Sequence, residues 1–557
     1  MMVKILNLVP ILYCIYLVYH VNGDEPLIKT PQGTVRGYHK KSFGGRQFLA
    51  FEGIPYAKPP VGNLRFAEPE PANKWTGQLI GNKTYMCLGY IPIPGMKGFL
   101  GSEDCLYVYV YVPLINIKGD ENLDVVVHIH GGAYQFGSPS YMAKPDFIMD
   151  QDVVYVTFNY RLAILGFLST EDNVVSGNNG LKDQVLALKW IKDNIKYFGG
   201  NPNSVTITGL SAGGSSVHHH YFSPLSKGLF HRGLSQSGTA FSPWSIVEYP
   251  LKKANEVAGH LNCSSDSTKD MVDCLRKVGP VDLMKAMTKL FIYLDGIPLI
   301  VFGPVVEKGE NPFLPDHPYK LIKEGKINDV PWITSNVKDE GIFPTAFFVM
   351  NQVMSLFEEK WNDIIIYLCD LYDTVDESDK VKVAKALRKY YYGNKAVTEN
   401  NPYSMVRLFS DRMFFNGAET SVRLQSKASK SPVYYYFDTY IPADPLLPIF
   451  GMKRGVAHGD DGGLIFKVIT VGAVLDPQDE KLMKHLTKFV ADYAKTGKPS
   501  INNVEWLPVD PDSKEINVLE IESPDKVFMT KMEHIGSMEF WNSLPIKENE
   551  KLYPELR

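Results

Sequence analysis

The sequence holds one short run whose residue types and spacing suit nucleophilic catalysis: Gly209-Leu210-Ser211-Ala212-Gly213. A serine hydroxyl is a weak nucleophile and needs exposure and an adjacent base. Here the serine follows a short β-type segment, residues 203–208 (NSVTIT), and precedes an apolar and small-residue stretch. A strand that turns sharply into a helix would lift Ser211 above a sheet edge. The flanking glycines permit strained angles and close helix packing, and the Ala212 N–H would face a developing oxyanion. A second run, His130-Gly131-Gly132-Ala133-Tyr134, closes residues 123–130 (LDVVVHIH). Its N–H groups can approach a substrate carbonyl without side-chain obstruction. Losing one such donor typically raises a barrier by about 3–4 kcal/mol.

The base for Ser211 should be a histidine, and there are 13. His458 lies in a glycine-rich loop, Gly455-Val456-Ala457-His458-Gly459-Asp460-Asp461-Gly462-Gly463. His485 lies in a Lys-rich helical segment and is expected to be solvated. His218-His219-His220 would point in three directions on a helix, so they suit packing behind the turn better than a shared metal. Composition alone does not choose among them. The acid that orients the base should fall between serine and histidine in chain order. Asp339-Glu340-Gly341, after the apolar residues 330–334 (VPWIT), is the best strand-end candidate. No HExxH, paired CxxC, P-loop or GxGxxG pattern occurs, so no metal or cofactor is expected.

These residues need a scaffold. Residues 106–112, 123–130, 153–159 and 203–208 read as strands. Residues 125–127 are continuously apolar, as in a strand covered on both faces. Residues 180–197 have helical spacing at Leu181, Val185, Leu188, Ile191 and Ile195. Strand, helix, strand, tight turn, helix implies a βαβ arrangement and a mainly parallel sheet. The second half is more helical, with helices expected over 353–372, 378–391 and 479–495, and a further strand over 433–437. No repeat or linker divides the chain, so residues 24–557 are read as one α/β domain.

The 557 residues carry 58 Lys+Arg and 62 Asp+Glu, a formal charge of −4, which lacks the footprint of a nucleic-acid binder. With 45% hydrophobic residues the chain is not broadly disordered. Lys4 precedes an apolar run over residues 5–19, followed by small residues and Asp24-Glu25. This pattern predicts a signal peptide over residues 1–23, and a secreted protein without a stable membrane anchor. Cys14 would leave with it. Of the remaining five cysteines, the simplest pairing is Cys87 with Cys105 and Cys263 with Cys274. Cys369 is left over, as a buried free thiol or an intermolecular bridge. Asn82-Lys83-Thr84 and Asn262-Cys263-Ser264 are glycosylation sequons compatible with that compartment.

Several further runs carry a resemblance. They are Phe51-Glu52-Gly53-Ile54-Pro55-Tyr56-Ala57 with Pro59-Pro60, Ser102-Glu103-Asp104-Cys105-Leu106-Tyr107, residues 209–218 and Phe302-Gly303-Pro304-Val305-Val306-Glu307. Together with their order, these make the chain similar to type-B carboxylesterases, the cholinesterase-like branch of the α/β hydrolases. It resembles most the secreted insect carboxylesterases, including venom and antennal esterases. The likeness runs from about Thr34 to Asn542.

The resemblance implies an α/β-hydrolase fold: a mostly parallel sheet flanked by helices, with large helical insertions in the C-terminal half. It implies a catalytic triad of Ser211, Glu340 and His458, with the glutamate rather than Asp339 as the acid. The oxyanion donors would be the N–H groups of Gly132, Ala133 and Ala212, with Ala133 standing where many relatives have a third glycine. The same two disulfides are implied. Ser237 resembles a serine near the acid, and Arg65 with Glu103 a structural ion pair, taken here as a surface pair. Cholinesterases hold a quaternary ammonium on a tryptophan inside the first disulfide loop, and residues 88–104 contain none. Juvenile hormone esterases usually have Gln where Leu210 stands. Adhesion relatives lose a triad member, and here all three positions are filled. The expectation is a secreted, monomeric serine carboxylesterase that takes small apolar esters through a seryl-acyl intermediate.

Overall fold

The computed structural model describes residues 25–92, 98–443, 452, 455–468 and 475–549. The expected signal segment and Cys14 lie outside them.

Among the described residues, eleven strands form the main sheet: β1 (Tyr38–Lys41), β2 (Gln47–Pro55), β3 (Tyr107–Val112), β4 (Leu123–Ile129), β5 (Val154–Phe158), β6 (Gly200–Leu210), β7 (Arg232–Gln236), β8 (Trp332–Val337), β9 (Val433–Asp438), β10 (Ile516–Ser523) and β11 (Lys526–Met532). Their spatial order is β11-β10-β9-β8-β7-β6-β4-β5-β3-β2-β1. Neighbours from β10 through to β5 are parallel. The contacts of β5 with β3, β3 with β2, β2 with β1 and β10 with β11 are antiparallel. The central strands are apolar on both faces because helices cover both sides. Val154–Phe158 is buried throughout, as is β4 from Val125 onward. This is the mostly parallel sheet expected from the sequence.

The chain reverses its direction of travel across this sheet. It goes from β4 to β5 on one side, then crosses back through helix α1 (Asn179–Asn194) to β6 on the other side of β4. The crevice above the C-terminal ends of strands at such a switch point is where open α/β sheets place their sites. Helix α1 buries Leu181, Val185, Leu188 and Ile191, the face read from the periodicity.

Some boundaries differ from expectation. Strand β6 begins at Gly200, because Gly200 pairs with Leu123 before an irregularity that resumes at Val205. The helix expected over 353–372 is two helices, Met354–Glu359 and Trp361–Leu368, broken at Lys360 (φ −115°, ψ 31°). The break turns Trp361 inward, where its indole N–H donates to the Ala384 carbonyl at 2.7 Å. The other two C-terminal helices, Lys380–Tyr392 and Pro477–Thr496, lie where the spacing put them.

Cys87 is bonded to Cys105 and Cys263 to Cys274, with Cα separations of 4.9 and 5.5 Å. Each bridge stabilises by roughly 2–4 kcal/mol in the chain-entropy account. Cys369 is a buried free thiol, and burial pushes its pKa up, away from reactivity. The Arg65–Glu103 pair is not on the surface. Both side chains are nearly buried, bonded through two 2.6 Å contacts. Arg65 also donates to the carbonyls of Leu275, Arg276 and Val278, so it ties the first disulfide loop to the end of the second. His485 is half-buried rather than solvated, and its Nδ1 has no partner among the described residues.

Candidate active site

Strand β6 ends at Leu210, and helix α2 (Ala212–Phe222) starts two residues later. Ser211 makes the corner alone, with φ 59° and ψ −123°. A non-glycine residue held there costs on the order of 1–3 kcal/mol and persists only where its surroundings enforce it. The Ser211 N–H donates to the Gln236 carbonyl at 2.8 Å, and the Ser211 carbonyl accepts from Ser215 N–H at 2.9 Å. The corner also needs glycine: a Cβ on Gly213 would sit 2.0 Å from the Ile129 carbonyl oxygen. That contact places the start of α2 against the end of β4, and Gly209 pairs with Ile129 across the sheet.

The loop leaving β4 therefore lies beside the serine. Gly132 has φ 109°, and a Cβ there would meet the Phe136 carbonyl oxygen at 2.0 Å. Ala133 and Tyr134 follow with φ 54° and 57°. The Gly132 carbonyl accepts from the N–H groups of Gln135 and Phe136, closing the turn. The N–H groups of Gly132, Ala133 and Ala212 have no protein acceptor among the described residues. Burial pushes His130, at the base of this loop, down to about 4, so it is neutral at ordinary pH.

The expected acid, Glu340, lies just after β8, and the expected base, His458, follows β9 in the chain. Glu340 is fully buried, and its Oε2 lies 2.6 Å from His458 Nδ1. Its Oε1 accepts from Asn336 Nδ2 at 3.0 Å and from Val337 N–H at 3.1 Å. Asp339 turns away. Its N–H donates to the Val456 carbonyl, and its carboxylate lies against Gly455. Phe343, on helix α3 (Ile342–Met350), and Phe414 flank the His458 ring at centroid distances of 5.6 and 4.5 Å. Phe414 stands on a π-helical segment, Ser410–Phe415, whose extra residue per turn re-aims its side chains. Asp461 is buried, accepts from Tyr436 Oη at 2.6 Å and Gln236 Nε2 at 2.9 Å, and anchors the histidine loop to β7 and β9. Ser237 is buried with φ 49°, and its N–H donates to Ser335. Its hydroxyl has no partner among the described residues, and the Glu340 carboxylate takes its bonds from Asn336, Val337 and His458.

The three consecutive histidines point apart. His218 stacks on Trp332 at 4.1 Å, His219 Nε2 donates to the Ser245 carbonyl, and His220 bridges Ser226 Oγ and Gln184 Oε1. Among the described residues, no group of three His, Cys, Asp or Glu side chains could hold a metal ion. A cavity whose lining includes Trp244, His317, Asp370, Arg412 and Glu548 does not include Ser211, Glu340 or His458 among its lining residues.

Burial pushes His219 to about 4 and His128 and His220 to about 3, so these imidazoles are neutral when folded. In the unfolded chain they titrate near 6.5. Between these values the unfolded state binds more protons, so stability falls as pH falls below about 6.5 and is unaffected above it. The slope per histidine is on the order of 1.4 kcal/mol per pH unit. Urea midpoints measured from about pH 7.5 down to about pH 5 are expected to drop steadily. A flat profile would contradict the buried neutral state.

The carboxylesterase family model matches residues 24–541. The chain belongs to the carboxylesterase family. This carboxylesterase is 42% identical over 542 residues to a carboxylic ester hydrolase of Bombus ignitus, covering 95% of this chain and 96% of the relative. It is 39% identical to venom carboxylesterase-6 of Apis mellifera, covering 94% and 95%. The crystal structure of juvenile hormone esterase from Manduca sexta, with OTFP covalently attached, superposes with a TM-score of 0.80 at 26% identity. That match covers 93% of this chain and 99% of the other. The fold is the α/β-hydrolase fold, and the protein is a carboxylic ester hydrolase whose substrates are small-molecule esters. No helix among the described residues is long and apolar enough to cross a membrane.

Proposed function

We propose that this carboxylesterase is a secreted, monomeric serine esterase of apolar, uncharged esters, built on a single domain over residues 24–557. The 2.6 Å contact between Glu340 and His458, at the same sheet end as the strained Ser211 corner, carries the reading. His458 takes the Ser211 proton as the hydroxyl oxygen attacks the ester carbonyl. The N–H groups of Gly132, Ala133 and Ala212 stabilise the oxyanion. His458 then protonates the departing alcohol. Water, deprotonated by the same histidine, attacks the acyl-serine and releases the carboxylic acid. Glu340 holds the imidazole in the required tautomer and stabilises its cation. The covalent attachment of OTFP to the Manduca sexta esterase supports a covalent intermediate.

Secretion is supported by the apolar N-terminal run, by two disulfides and by the venom esterase among the relatives. Asn82 and Asn262 are both exposed, as glycan acceptors must be. The apolar preference rests on the Phe343 and Phe414 rings beside His458 and on buried Leu210 next to the serine. The test is a panel of aryl esters with lengthening acyl chains, set against a choline ester. kcat/KM is expected to rise roughly fourfold per buried methylene until the pocket is filled. Preference for the choline ester would overturn the substrate assignment.

A further inference from the structure

We propose that Asn336, held by Tyr435, is a positioning residue that fixes which oxygen of Glu340 faces His458. This rests on the roles of Glu340 and His458 proposed above. Asn336 is fully buried in the interior of β8, four residues before Glu340. An amide in a buried strand must have partners. Its Nδ2 donates to Glu340 Oε1 at 3.0 Å, and its Oδ1 accepts from Tyr435 Oη at 3.1 Å on the adjacent strand β9.

The amide has only one sensible orientation. The Tyr435 hydroxyl is fully buried, and burial with the nearby Glu340 charge raises its pKa, so it keeps its proton and donates. Reversing the amide would turn its carbonyl against the Glu340 carboxylate, oxygen against oxygen. Tyr435 therefore sets the Asn336 amide, and Asn336 sets the carboxylate.

The other donor to Oε1 is the Val337 backbone N–H, which any side chain would retain. Asn336 is thus the side chain whose identity decides whether Oε1 is doubly held. With both donors present the carboxylate plane is fixed, and Oε2 alone meets Nδ1 at 2.6 Å. With one donor, the carboxylate can rotate, and the imidazole loses the fixed orientation that its proposed role requires. Hydrogen bonds to charged groups carry enough energy for an effect of about tenfold or more.

The experiment is a set of double-mutant cycles read as kcat and KM on one aryl ester, with thermal midpoints measured alongside. Asn336→Leu keeps the branched shape and donates nothing; it is expected to lower kcat about tenfold while KM stays within about twofold. In a Glu340→Gln background the same change should cost nothing further, because it acts only through that carboxylate. Tyr435→Phe should lower kcat about threefold alone and not at all in the Asn336→Leu background. A purely structural role would instead give additive losses that follow the thermal midpoints, and that outcome overturns the proposal. So does Asn336→Leu with wild-type kcat. If Asn336→Leu does not fold, Asn336→Ala replaces it. That variant also removes the donor, with the same expected loss, and wild-type kcat again overturns the proposal. Full activity in Glu340→Gln itself would sink the underlying reading, whereas a loss there with a silent Asn336→Leu sinks this inference alone.

Discussion

Ser211→Ala is expected to lower kcat on an aryl ester by about 10⁶-fold, with KM changed little. The size follows from what the corner does. Ser211 is held at φ 59° by two backbone hydrogen bonds and by glycines too close to their neighbours to carry a Cβ. Alanine fits the same corner, so the fold and the substrate pocket should survive. What disappears is the covalent route, leaving the oxyanion donors and proximity alone. Those typically retain about 10³–10⁴-fold over water. Purified variant measured at high concentration, with a thermal midpoint within a few degrees of wild type, checks this. Near wild-type turnover would refute the assignment of the nucleophile.

Glu340→Gln is the second large effect, about 10⁴-fold in kcat. The carboxylate is buried and meets His458 Nδ1 with one oxygen. An amide there can present its NH₂ to Nδ1, which forces the wrong tautomer, and in either orientation it lacks the negative charge that stabilises an imidazolium. The neighbouring acid supplies the control. Asp339 lies against Gly455 and the Val456 backbone, away from the imidazole, so Asp339→Asn should stay within about twofold of wild type. Parallel kinetics of the two variants decide between adjacent carboxylates. Equal losses, or a larger loss for Asp339→Asn, would contradict the placement of Glu340.

That pair of acids marks where the sequence stops being legible. The central strands could be read because burial on both faces demands apolar runs, as in residues 125–127. The corner could be read because its backbone demands small residues at fixed offsets. Spacing could not separate Asp339 from Glu340, since consecutive residues at a strand end turn to opposite sides and only tertiary contacts say which side holds the histidine. The choice of Glu340 came from likeness to carboxylesterases. Asn336 left a faint signal, a polar amide four positions before the acid in a strand otherwise made of apolar and small residues, but its partner Tyr435 is 99 residues away. Phe414 left none, because a π-helical turn breaks the periodicity by which helix faces are read. The burial of Arg65 was also missed, since its carbonyl partners lie about 210 residues downstream.

The central claim is that Ser211 becomes covalently acylated, and an organophosphate that phosphorylates activated serines tests it most directly. Wild-type protein and Ser211→Ala are treated, digested and analysed by mass spectrometry, with residual esterase activity followed in parallel. The account predicts one phosphoryl group per chain on the peptide containing Ser211, activity lost in proportion to labelling, and no adduct in Ser211→Ala. Full activity in a labelled protein, or an activity-linked adduct on any other residue, would contradict it.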